Sequence, residues 1–366
     1  MKKIFTSVLF AAFAISATAQ IKEGYYHIMN NYTGRYLTIT SRQSNGGSVA
    51  SATADLDALE TKKPLDDISS DPGACIYIKN QSGDTYDLAA QGTSVGKISG
   101  GLYPHFTAVS GGYNIWGTYK GVKVVLSDTP QSPSKNSGHM SQKGSESQVW
   151  SAYKIDGGEH YMGIKPEVNV GGYYWATFYC GFPFKLGSGM KAYYITEVNN
   201  GGFKLKEYSG DIVGATCPIL IRCKGSKASD NKITPLTSGG SDPSNNQLRG
   251  IYFSSTVNGH TDYNNKYDSS TQRILGKSGG KLAFVKASSS DLVGKKYTEH
   301  NRCWLIVPKS AADNMTEDGY TGINNIDADT TPTSKKIYTL QGVELPEGTK
   351  PRPGIYIQNG KKIVIK

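Results

Sequence analysis

One unit recurs three times in the first 150 residues: a short apolar strand, a polar turn containing glycine, and a second strand ending in an aliphatic residue. It reads GYYHIMNNYTGRYLTI over 24–39, ACIYIKNQSGDTYDLAAQG over 74–92 and GGYNIWGTYKGVKVVLSD over 111–128, and the series closes on Gln148-Val149-Trp150. No single hairpin can bury its own apolar face, so a hairpin copied at this spacing must share one core with its copies. The rest of the chain agrees with strands. Gly contributes 43 of 366 residues and Tyr 24, charged residues are 19%, and almost no dozen-residue window holds a helical period without a glycine. That composition predicts an all-β chain rich in turns. The one helical candidate is Asp55 to Lys63, ending before Pro64.

Three copies closing one core predict a β-trefoil over 20–156, a fold that mostly presents binding surfaces. A second block, 157–309, holds GGYYWATFYCGFPFKL, MKAYYITEVNNGGFKLKEY, CPILIRC, LRGIYFSS, GKLAFVKA and CWLIVP. Short strands at roughly even spacing predict a β-sandwich-like domain there. Each block is long enough to build its own core. Residues 310–334, rich in Asp, Asn, Thr and Gly, read as a linker. In the tail, 335–366, Asn359-Gly360 separates two β-branched runs, the strongest short signal for a β-hairpin.

The first 19 residues have the three parts of a secretory signal peptide: Lys2 and Lys3, the apolar run from Val8 to Ile15, and the small-x-small pattern Ala17-Thr18-Ala19. A spanning helix needs about 20 apolar residues, so this run is too short to anchor the chain. The expected product starts at Gln20, is secreted or displayed at the cell surface, and keeps no stable membrane span. The formal charge of +10 belongs mostly to the ends. The leader supplies two positive charges and the tail a net five, which leaves only three for 20–334, without a Lys/Arg stripe interleaved with aromatics. Nucleic acid is therefore not an expected partner. Five cysteines, Cys75, Cys180, Cys217, Cys223 and Cys303, show no zinc spacing. On one strand Cys217 and Cys223 would stand about 20 Å apart, too far to bridge. Either they pair with Cys180 or Cys303, or they are buried free thiols.

The Gln148-Val149-Trp150 close resembles the Q-x-W signature of ricin B-chain-like β-trefoils, over about residues 21–156. The resemblance implies that Trp150 belongs to the shared core. It also implies that a competent repeat carries an Asp after its hairpin for sugar hydroxyls and an aromatic ring for the pyranose face. Asp87, in Thr85-Tyr86-Asp87-Leu88, takes that position, with Thr38 and Val125 or Ser127 at the corresponding places of the other repeats. Gln91 is a second polar contact and Tyr103 a candidate ring. The alternative is that Asp87 caps a turn. The tail, IYTLQG followed by GIYIQNGKK and a terminal Lys, resembles type IX-like C-terminal sorting tails of exported Bacteroidetes proteins. The 157–309 block, with AYYITEV before a small-residue, Pro, aliphatic strand, resembles a module that follows other domains in such proteins.

Alternation supplies a further candidate. If Tyr113 and Ile115 face the core, Asn114 and Trp116 face outward, with Tyr119 nearby. An outward Trp marks an interaction surface. The alternative is that the strand stops at Ile115 and Trp116 folds under the next loop. Cys/His pairs, such as His160 with Cys180 or His300 with Cys303, lack a motif or an orienting group. No pair of carboxylates stands out for glycoside hydrolysis. The expectation is a non-catalytic binding protein without a cofactor, whose partner is a glycan. The alternatives are a host or surface protein recognised by an adhesin or protease inhibitor, and then a secreted hydrolase.

Overall fold

The computed structural model describes residues 20–39, 59–62, 68–94, 104–119, 121–128, 138–141, 148–252, 265–320, 336–340, 342–346, 351–358 and 361–365. The leader, Tyr103 and the Asn359-Gly360 turn lie outside them. The described chain is all-β, with several sheets and only short 3-10 turns besides.

The first block contains β1 (Gly24–Asn30), β2 (Tyr36–Ile39), β3 (Leu59–Lys62), β4 (Ile76–Ser82), β5 (Thr85–Ala90), β6 (Thr93–Ser94), β7 (His105–Val109), β8 (Gly112–Tyr119), β9 (Val122–Asp128), β10 (Gly138–Ser141) and β11 (Trp150–Lys154). Six of these pair antiparallel in a closed ring, β1–β4–β5–β7–β8–β11 and back to β1. The remaining strands leave the ring: β2 and β3 from β1, β6 from β5, β9 and β10 from β8. Each of β1, β5 and β8 contains Tyr-x-aliphatic, namely Tyr26-His27-Ile28, Tyr86-Asp87-Leu88 and Tyr113-Asn114-Ile115. Their aliphatic residues fill the ring together with Ile76, Phe106 and Trp150. The Trp150 indole N–H donates to Leu126 O at 3.0 Å, so its one polar atom is satisfied inside the core.

Two expectations change here. The hairpin of 74–92, β4 with β5, links two of the ring's equivalent pieces and is not itself a copy of β1 with β2; apolar alternation looks the same in either phase. The helical candidate at 55–63 also fails in its described part. Leu59–Lys62 is a strand, paired along Tyr36–Ile39, because a cross-strand ladder outweighs local helix propensity.

In the second block a five-stranded sheet runs in the order 168–170, 173–178, 219–223, 191–198, 203–207. Its strand Ile219–Cys223 shows why CPILIRC is apolar apart from Arg222. Ile219, Ile221 and Cys223 pack with Phe184, Val213 and Ile233 of a four-stranded sheet. Leu220, pointing the other way, packs with Leu248, Phe284 and Leu305 of a second five-stranded sheet. A sheet covered on both faces needs no polar alternation. The linker expected from Ser310 begins later, because Asn314–Thr316 pairs with Ala283–Val285 and buries Met315. All five cysteines are free and buried. In the tail, Ile337–Thr339, Gly354–Gln358 and Lys361–Ile365 form a three-stranded sheet.

The two blocks meet in a packed joint. Cys75 shares a core cluster with Phe182, Tyr25 packs on that cluster, and the Tyr25 hydroxyl donates to Leu236 O at 2.6 Å. Gly181 lies so close to Gln91 that a Cβ there would stand 1.9 Å from the Gln91 carbonyl oxygen.

Candidate functional site

The phase of the ring decides what faces outward. In β5, Tyr86, Leu88 and Ala90 are buried, so Thr85, Asp87 and Ala89 point away from the core. In β8 the strand continues to Tyr119, with Ile115 in the core and Trp116 half-exposed. Register then carries the row across the surface: Thr85 stands opposite His105, and His105 opposite Trp116. Asp87 and Trp116 share this outward face. They are separated by β7 and by a two-residue step, about 12 Å between backbones at ordinary strand spacing.

Trp116 stands between its neighbours' side chains. From β7, His105 stacks on the indole at 4.1 Å between centroids, with 14° between planes. From β9, the Lys123 ammonium lies over the ring at 4.1 Å, a cation–π contact. The indole N–H donates to Thr107 Oγ1 at 2.9 Å, and His105 Nδ1 lies 3.0 Å from the Asp84 carboxylate. Of these residues only Trp116 was singled out from the sequence. His105 and Lys123 carry no motif; only the strand register brings them to the indole.

The other expected residues fall as follows. Asn114 is half-buried and donates to Gln148 O at 2.9 Å, which ties β8 to the segment closing the ring. Gln91 is not at the outward face. It is 2% exposed at the joint between blocks, has a positive φ of 51°, and accepts from the Gly181 N–H at 3.0 Å. Tyr119 ends β8 opposite Val122, and nothing of its side chain is described. Tyr103 lies outside the described residues. The ring phase also moves the equivalents of Asp87: they are His27 and Asn114, not Thr38 and Val125 or Ser127.

His27 has a different environment from its equivalents because the second block covers it. It is fully buried, its Nδ1 lies 3.4 Å from His160 Nδ1, and His160 stacks on Tyr153 at 4.2 Å. Burial, helped by the neighbouring imidazole, pushes the His27 pKa down to about 3, against a smaller opposing pull from Asp71. Burial also lowers the pKa of His160.

The Cys180 and Cys303 thiols both make hydrogen bonds to backbone carbonyls. His160 contacts His27, Tyr36 and Tyr153, whereas the Cys180 thiol donates to Phe182 O. Burial raises the Cys180 pKa to about 12 and pushes that of Cys303, which donates to Phe178 O, well up from its ordinary value. Such thiols hold their proton at neutral pH and are poor nucleophiles. Among the described residues no three His, Cys, Asp or Glu side chains cluster as metal ligands, and no helix is long and apolar enough to cross a membrane. Compared with known proteins, the chain matches no protein family and no curated sequence.

Proposed function

We propose that this is an exported, non-catalytic binding protein whose first block is a β-trefoil that engages glycan through the outward face of β5, β7 and β8. The closed six-strand ring with strands leaving it after β1, β5 and β8 supports the trefoil reading. The observation that carries the binding reading is Trp116, a half-exposed indole held in place by His105 and Thr107 on the same face as the Asp87 carboxylate. A ring oriented before binding loses little entropy when a sugar stacks on it, and a nearby carboxylate accepts from hydroxyls. Lys123 is exposed and flexible, so it can swing off the indole face. The expected assay result is binding of the chain to immobilised glycans, weakened by Trp116→Ala and by Asp87→Ala. Binding that neither substitution changes, or no binding to any glycan, would refute the reading.

A second reading rests on the same geometry. With His105 and Lys123 flanking the indole, Trp116 also offers an aromatic anchor inside a charged rim, the composition of a protein-binding hot spot. Capture of a protein partner that free sugar does not compete away would favour that reading over the first.

A further inference from the structure

The second block contains a cleft of about 380 Å³, within the usual size range for small-ligand pockets. One wall comes from the 168–178 hairpin and the other from the 281–285 strand and residues 316–318. Its floor is apolar: Trp175 is 9% exposed and Phe203 fully buried. Its mouth is not. Tyr173 stands there with 54% of its surface exposed, an unusual position for a large aromatic ring in a block whose other rings mostly pack. The Arg222 guanidinium lies 4.9 Å from the centre of the Tyr173 ring and holds that side, which leaves the opposite face for a ligand.

The polar rim narrows the chemistry. Lys281 is paired with Asp318, so its charge is already matched. Among the described residues the Glu317 side chain makes no hydrogen bond or ion pair, which leaves both carboxylate oxygens as acceptors beside the aromatic wall. Arg222, beside Tyr173, and Lys281 balance Glu317 and Asp318, so the rim carries no net charge and gives a charged ligand no net attraction. Access is open: both hairpins turn on paired glycines at positive φ, Gly171-Gly172 and Gly279-Gly280, and no heavy atom stands within 4 Å of the Cβ each lacks. A ligand that fits has one flat apolar face for Tyr173 and several O–H donors for the carboxylate, without net charge. A neutral pyranose has all three properties.

We propose that the cleft between Tyr173 and Glu317 is a second carbohydrate site, specific for neutral glycans and independent of the first block. The experiment uses full-length protein carrying Trp116→Ala, so that the outward face of the first block is removed from the readout. Binding to an array of neutral and of sulfated or sialylated oligosaccharides is compared for this protein, and for the same protein with Tyr173→Ala, Tyr173→Phe or Glu317→Gln added. The expected result is retained binding to neutral glycans that falls about tenfold with Tyr173→Ala, falls with Glu317→Gln, and survives Tyr173→Phe, which keeps the stacking face. Tyr173 is exposed, so its loss leaves the fold intact. Absence of neutral-glycan binding, binding confined to anionic glycans, or binding within threefold of the parent after Tyr173→Ala would each overturn the proposal.

Discussion

Replacing His27 with glutamine is expected to flatten the acid side of this protein's stability profile. In the fold His27 is fully buried, faces His160 and the ring of Tyr36, and has its pKa pushed down to about 3, mainly by burial. Asp71 pulls in the opposite direction, and Glu159 and Asp156 act on His160 in the same sense. The unfolded chain protonates His27 near its ordinary value of about 6.5. Below that pH the unfolded state binds a proton that the folded state excludes. Stability is therefore complete above about 6.5 and is lost as the pH falls from there towards 3. At pH 4.5 the unfolded imidazole is two pH units below its pKa, and each unit is worth about 1.4 kcal/mol. The net loss between pH 7 and pH 4.5 is about 2.5 kcal/mol, or roughly 5–10 °C in Tm for a block of this size. Glu167 acts with opposite sign, since burial raises its pKa and acid favours its folded form. It is common to both proteins and cancels in the comparison. Thermal unfolding followed by circular dichroism at pH 7, 5.5 and 4.5 measures the effect. His27→Gln lowers or raises the whole curve by a constant, but its acid slope is shallower than that of the parent by the stated amount. Parallel curves for the two proteins would refute the assignment of a neutral, buried His27.

Two further outcomes are expected. Gly181→Ala places a methyl group 1.9 Å from the Gln91 carbonyl oxygen, a backbone atom that cannot swing aside, so the joint between blocks must open at about 1–3 kcal/mol; urea unfolding within 0.5 kcal/mol of the parent, about the error of such curves, would show the approach is not tight. All five thiols should resist iodoacetamide at pH 8 in the folded protein and react together in urea, because each is buried and burial raises Cys180 and Cys223 to about 12; mass spectrometry showing any of them alkylated at the rate of a free peptide thiol would contradict that.

Much of the fold was legible from the sequence, for a physical reason that also marks its limit. Period-two alternation offered Ile115 as an inward residue and Trp116 as an outward one, and the structure places them so. Trp150 could be read as core from its family resemblance and its size. Alternation does not encode phase between hairpins, however, so β4 with β5 looked like a copy of β1 with β2. The strand Ile219–Cys223 has no alternation to read, because both of its faces are covered. Contacts between distant segments leave no local trace either. Gln91 resembled a ligand contact until Gly181, ninety residues on, was found donating to it. Likewise, the Tyr173 cleft is assembled from four stretches of chain, and the sequence shows each only as an ordinary strand or turn.

The pairing of β1 with β11 has a consequence for how the first block is made. Tyr26 lies opposite Lys154 and Asn30 opposite Trp150, so the ring is closed by its first and last strands. While the chain is growing, β1 can take β4 on one side, but its other edge has no partner until residue 150 has been synthesised. The start of β8, at Tyr113, waits for the same strand, while the rest of that edge pairs with β9. Two unpaired, apolar edges then coexist in the partly made chain, and such edges seek strands in other molecules. A truncation that removes 150–154 would therefore do more than delete one strand: it would leave a sticky, open sheet whose expected fate is aggregation.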